Sequence, residues 1–270
     1  MLTDSQDLGR SLAALVDSRQ AEGRYVLTRA EAGRALGVSS EALKKAVQRL
    51  VAKRRLAVPR RGFFVIVPVE YREAGAPPPT WYIDDLMMFC GRRYYVGLLS
   101  AAALHGAAHQ QPQEFQVVTD GQLRPVTAGR ARIRSFRKRR IESTPVMNMK
   151  TETGSVHVSI PEATALDLVR YLKGAGHLGH VATVLAELAE KMKAERLVEV
   201  AKREDELPEA QRLGYLLAKV GAGEVAAPLE PWIGKRRPRF VPLRPGRSSK
   251  RAARDERWRV IVNEKIEVET

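Results

Sequence analysis

Lys44, Lys45, Gln48 and Arg49 are interleaved with Leu43, Val47, Leu50 and Val51, apolar residues that repeat at helical spacing. A helix here would bury one face and turn amide and cationic side chains outward. That set suits nucleic acid. Gln and Arg match the donors and acceptors on base edges in the major groove, while Lys and Arg hold a helix in register through phosphates. Ser39 and Ser40 precede the stretch and offer hydroxyl and backbone N–H donors to a phosphate at a helix N-terminus. Arg54 and Arg55 follow it, and Arg60 and Arg61 occupy the turn Pro59-Arg60-Arg61-Gly62, from which they would grip the neighbouring backbone or minor groove. These positions are the candidate DNA contacts.

A second basic cluster alternates as Arg130, Arg132 and Arg134 and then runs on as Arg137, Lys138, Arg139 and Arg140. Two readings stand side by side: further phosphate contacts flanking the first set, or the solvated rim of a sheet. A third cluster, Lys235 to Arg239 and Arg244 to Arg251, mixes cations with Pro and Gly and reads as an irregular segment over about 232–254, a nonspecific electrostatic arm. The net charge of +15 points the whole chain toward polyanions.

Signals for catalysis are weak. The chain has no GxxxxGK, GxSxG or HExxH motif, and its five histidines have no metal-ligand spacing with Cys or carboxylates. His105 and His109 are four apart, but Gly106 between them ends a helix. Glu162 and Asp167 are the acids best placed for chemistry, following a strand at the start of a helix, but negative side chains are favoured at a helix N-terminus and Glu162 needs no further reason. The acids near Glu264-Lys265 and Glu267-Val268-Glu269 do not supply the acid-then-ExK pattern of a metal-dependent nuclease. No catalytic site, metal or cofactor is expected. The single cysteine, Cys90, follows Met87-Met88-Phe89 and reads as an inert thiol on an apolar helix face. No charged-then-apolar leader and no apolar run of spanning length occurs, so a cytoplasmic protein without membrane contact is expected.

The elements that would position these residues can be read in order. Ser11 to Ala21 carries Leu12, Leu15 and Val16 at helical spacing and stops at Gly23. Tyr25-Val26-Leu27 is extended, and Thr28-Arg29-Ala30-Glu31 has the form of a capping box. The second helix ends at Gly37, the basic helix follows, and Leu56-Ala57-Val58 with Phe63 to Val67 makes a hairpin. Helix, helix, tight turn, helix and hairpin is the order of a winged helix-turn-helix. Ala76-Pro77-Pro78-Pro79 then reads as a stiff linker. It divides a DNA-binding domain at 1–77 from a second domain at 78–270, which suits a chain of 270 residues. In that second domain Trp81 to Phe89 and Gly97 to His105 read as helices. Phe115 to Thr119, Ala131 to Phe136 and Val156 to Ile160 read as strands of a small mixed or antiparallel sheet. Helices follow from Pro161, from Leu178 to Lys193, from Ala194 to Arg203 and from Glu209 to Val220, and Trp258 to Asn263 reads as a last strand. The fold class expected is α+β, a winged helix followed by a mixed α/β domain with a helical C-terminal part.

Three stretches carry a resemblance: Tyr94 to Gly106, Gln113 to Thr119, and Ser159-Ile160-Pro161-Glu162-Ala163-Thr164-Ala165-Leu166-Asp167-Leu168. In these, and in their order behind a winged helix, the chain resembles the AbiEi antitoxin family of abortive-infection, phage-defence systems. The resemblance implies a DNA-binding antitoxin that represses its own toxin–antitoxin operon at inverted repeats in double-stranded promoter DNA. It also implies a nucleotidyltransferase-like toxin as functional partner, often opposed without a stable complex, and a second domain that carries the antitoxin activity. The alternative is a winged-helix transcription factor whose second domain senses a ligand or another protein.

Overall fold

The computed structural model describes residues 11–107 and 112–266. Ser11 caps the first helix, α1 (Leu12–Ala21), by accepting from the Ala14 N–H, and a short strand, β1 (Val26–Thr28), follows. At Thr28 the capping box closes in both directions with Glu31 and starts α2 (Arg29–Leu36). Gly37 ends that helix with φ 62°, a left-handed conformation that side chains with a Cβ resist, and so turns the chain within three residues into α3 (Ser40–Ala52). Strands β2 (Leu56–Arg60) and β3 (Phe63–Ile66) then form a hairpin, and β1 completes a three-stranded antiparallel sheet in the order β1-β3-β2.

Every side chain of β3 is buried, which a strand with one solvent face cannot achieve. Phe64 and Ile66 point into a core with Leu12, Val16, Leu27, Leu43 and Leu50. Phe63 and Val65 point the opposite way, into a second core with Tyr82, Ile83, Leu86 and Met87. The hairpin is therefore shared by two cores, and the apolar packing runs unbroken across the proline segment, where Ala76 is buried too.

After that segment come α4 (Ile83–Phe89), β4 (Tyr94–Val96), α5 (Leu98–Leu104) and β5 (Phe115–Thr119). Next are β6 (Val126–Ala128), β7 (Ala131–Arg137), β8 (Val146–Thr151) and β9 (Gly154–Ser159). These make a six-stranded mixed sheet in the order β6-β7-β5-β4-β9-β8. Its alternation is two-sided: Tyr94, Val96, Val117 and Val158 face α4 and the hairpin, while Tyr95 and Val118 face a third core.

That third core is helical, built on α6 (Pro161–Arg170), α7 (Leu178–Ala189), α8 (Ala194–Glu204), α9 (Leu207–Lys219), α10 (Gly223–Ala226) and α11 (Leu229–Lys235). A small sheet closes the chain: β10 (Val241–Pro242), β11 (Ala253–Asp255) and β12 (Val260–Val262), in the order β10-β12-β11. Trp258 is its anchor, buried against Gly214 of α9. The segment read as irregular over 232–254 is thus tied down: it holds the end of α11, Leu243 is fully buried, and Gln211 donates to the carbonyls of Arg239 and Arg259, which lead into the paired strands β10 and β12. Among the described residues no helix is long and apolar enough to cross a membrane.

Candidate nucleic-acid interface and a buried ionic cluster

The Ser39 hydroxyl caps α3, accepting from the Ala42 N–H at 3.2 Å. Ser40 is engaged from α2, since the Arg29 guanidinium donates to its Oγ at 2.7 Å and to its carbonyl at 3.2 Å. Ser40 therefore ties α2 to α3, and both hydroxyls, accepting in these bonds, keep an O–H to donate beside the backbone N–H groups of the first turn. Leu43 and Leu50 are buried, whereas Lys44, Lys45, Gln48 and Arg49 are exposed, as the helical spacing predicts. Among the described residues none of these four has an ion-pair partner or a side-chain hydrogen bond. An unpaired cationic face is what a polyanion would neutralise.

The surrounding arginines divide. Arg54 is exposed and holds a left-handed backbone, φ 52°. Arg55 is paired with Asp17 of α1. Arg61 is exposed at the hairpin tip, but Arg60 turns back and donates to the Arg124 carbonyl at 3.3 Å, with its Nε buried and unpartnered. Arg60 thus differs from Arg61: it ties the hairpin to the loop before β6, while Arg61 stands free at the tip.

In the second cluster, Arg130 pairs with Glu73 at 3.4 Å, and Arg132 and Arg134 share Glu114 at 3.0 and 3.3 Å. Arg134 also lies over the Phe136 ring at 5.0 Å. Arg137, Arg139 and Arg140 are exposed and unpaired among the described residues. Lys138 does not belong with them. It is 2% exposed and cannot reach a phosphate, against the expectation for it. The strand period explains why: Arg134, Phe136 and Lys138 share one side, and as β7 runs inward beneath α6 that side passes from solvent to core.

Lys138 donates to Asp167 at 3.1 Å, to Glu204 at 2.7 Å and to the Tyr95 hydroxyl at 3.3 Å. Tyr95 donates to the other Asp167 oxygen at 2.7 Å, and Thr144 donates to Glu204 at 3.0 Å. Burial, and then the Asp167 charge, hold the Tyr95 phenol well above its ordinary value, so it stays a donor. Burial and the same carboxylate also raise Glu204, against the pull of Lys138. One lysine therefore fastens β7, β4, α6 and α8 together. Asp167, one of the acids considered for chemistry, is fully buried and spent in this network. Glu162 accepts from the Lys193 N–H at 2.8 Å and is equally enclosed, at 1% exposure.

Among the described residues no group of three or more His, Cys, Asp or Glu is placed to hold a metal ion. His105 bonds the Ser159 carbonyl at 2.7 Å, and His109 lies outside the described residues, as do Glu267 to Glu269. Cys90 caps α4, half-buried rather than in the core, and burial raises its thiol, which keeps it poorly nucleophilic.

Residues 95–219 match the family model of the AbiEi antitoxin C-terminal domain, so the resemblance to that family holds over the sheet and the helical core behind it, and it supports an antitoxin role. No curated protein matches the sequence. Among solved structures the chain is similar to the crystal structure of the RV2827C protein from Mycobacterium tuberculosis, with 15% identity and a TM-score of 0.66 over 94% of this chain and 90% of that one. At such identity the likeness concerns the arrangement of elements alone.

Proposed function

We propose that this protein is an autoregulating antitoxin: residues 1–77 act as a winged helix-turn-helix that reads its own promoter, and residues 78–270 oppose a toxin. The observation that carries the DNA half is the unpaired cationic face of α3, held by the Arg29 to Ser40 clamp and flanked by Arg61. The antitoxin half rests on the family match over 95–219. The family resemblance implies a nucleotidyltransferase-like toxin and inverted repeats in the operator. The protein then works by binding, in the cytoplasm, and its buried acids serve cohesion, not catalysis. Arg137, Arg139 and Arg140 extend the phosphate footprint.

The test is a titration of the full chain on its own upstream DNA against scrambled DNA of equal length, beside a Lys44→Ala, Lys45→Ala, Arg49→Ala, Arg61→Ala variant. Selective binding that disappears in the variant is expected, with the salt dependence of log affinity shallower by about 0.9 for each phosphate the variant no longer neutralises. Equal affinity for both DNAs would sink the operator reading. The same variant, expressed with the neighbouring toxin gene, should still restore growth, because its second domain is untouched.

A further inference from the structure

The small C-terminal sheet presents a face that operator reading leaves unused. Val241 pairs with Val260, and Arg254 with Ile261, so alternation sends Val260 inward toward α9 and puts Phe240, Arg254 and Arg259 together on the outer side. The Arg259 guanidinium lies 4.5 Å and that of Arg254 5.1 Å from the Phe240 ring centroid, so two cations share one aromatic ring. Arg237, Arg239, Lys250 and Arg251 belong to the same C-terminal segment, all exposed and without ion-pair partners among the described residues. Countercharge is present but local: Glu256 holds Arg259 at 3.0 Å and Glu230 holds Arg257 at 2.7 Å.

A second observation is independent of charge. Arg237, Arg251 and Arg259 have φ of 46°, 58° and 54°, the left-handed region that glycine enters without penalty and a side chain does not. The chain keeps cations at positions where glycine would relax the backbone. Anchoring by Trp258 and by Gln211 keeps this surface in one shape.

We propose that this face binds single-stranded nucleic acid, at a site separate from α3. Phe240 and the two guanidiniums over it supply the aromatic and planar cationic groups on which unpaired bases stack, and the exposed cations of the same segment follow the phosphates. A duplex hides its base faces, so the pairing of an aromatic ring with guanidiniums, suited to stacking on unpaired bases, distinguishes this surface from a duplex contact.

Fluorescence anisotropy of the full chain with labelled 12-nucleotide oligouridine and oligothymidine tests it. Both oligomers should bind at physiological salt, and tighter binding of one identifies RNA or DNA as the ligand. An Arg237→Gly, Arg251→Gly, Arg254→Ser variant should bind at least tenfold more weakly, with a salt slope shallower by about 0.7 for each phosphate left without its arginine. Its melting temperature should be unchanged or higher, and its affinity for the promoter duplex unchanged. Phe240→Leu should weaken binding with the charge intact. No binding by the wild type, or a triple variant that binds as well as the wild type, overturns the proposal. So does parallel loss of duplex binding, which would make this face part of the operator footprint. The α3 variant should bind the oligomers normally, which keeps the fate of this site distinct from that of the operator reading.

Discussion

Lys138 shows how much one side chain decides. It neutralises Asp167 and Glu204 where water cannot, and removing it leaves two buried carboxylates facing each other. Breaking a buried charge network by deleting one partner costs about 3–5 kcal/mol, so Lys138→Met should lower the unfolding free energy measured in urea by an amount in that range. Combining Lys138→Met with Asp167→Leu and Glu204→Leu should recover much of the loss, since apolar replacements need no counterion; a triple variant no better than the single one would refute this account. The network also has a pH signature. Burial and Asp167 raise Glu204 in the folded chain, with Lys138 and Arg170 opposing them. A raised carboxylate favours folding when protonated, so its contribution is complete below the ordinary glutamate range and is lost as pH rises through the folded value. Stability measured by urea titration should therefore decline over that interval, and Glu204→Gln should flatten the decline.

Among the elements, α9 is the one whose sequence says least about its load. Gly214 lies mid-helix, where Ala would ordinarily add about 1 kcal/mol. A methyl group there would overlap the Trp258 ring, however, and overpacking costs about 1–3 kcal/mol. The second effect wins, and Gly214→Ala should lower the melting temperature; a rise would mean that Trp258 is not wedged on the helix. Nothing near Gly214 in sequence announces a partner 44 residues on, since long-range packing leaves no local period. The legible elements are those with local signals: the Thr28 to Glu31 capping box, the Gly37 stop, the two-residue alternation of β7. Strands β4, β6 and β8 are not legible in this way. Tyr94 to Val96 is too short for a period, and β8 exposes most of its length, with Val146 and Met147 facing solvent. At the site, the exposed face of α3 follows from helical spacing, whereas the turning back of Arg60 depends on Arg124, sixty-four residues away.

For the molecule as a whole, the shared strand β3 governs cooperativity. Phe63 and Val65 face one core and Phe64 and Ile66 another, so neither core can open without exposing the strand to water. The full chain should unfold in a single transition seen equally by fluorescence and by circular dichroism. Phe63→Ala should cost about 3–5 kcal/mol, a core truncation, and weaken both halves at once. Two separated transitions, with the mutation shifting only one, would show the halves to be independent.

The same strand limits how such a protein can be recombined. A cut at residue 77 severs the chain in the proline segment but leaves the Phe63 and Val65 side of the hairpin without the Tyr82, Ile83, Leu86 and Met87 surface that covers it. An N-terminal half grafted from a relative would arrive with its own side chains on that face. It would seat only if the recipient's α4 changed with it, so whatever the N-terminal half recognises should be inherited together with α4 and is not a freely exchangeable cassette.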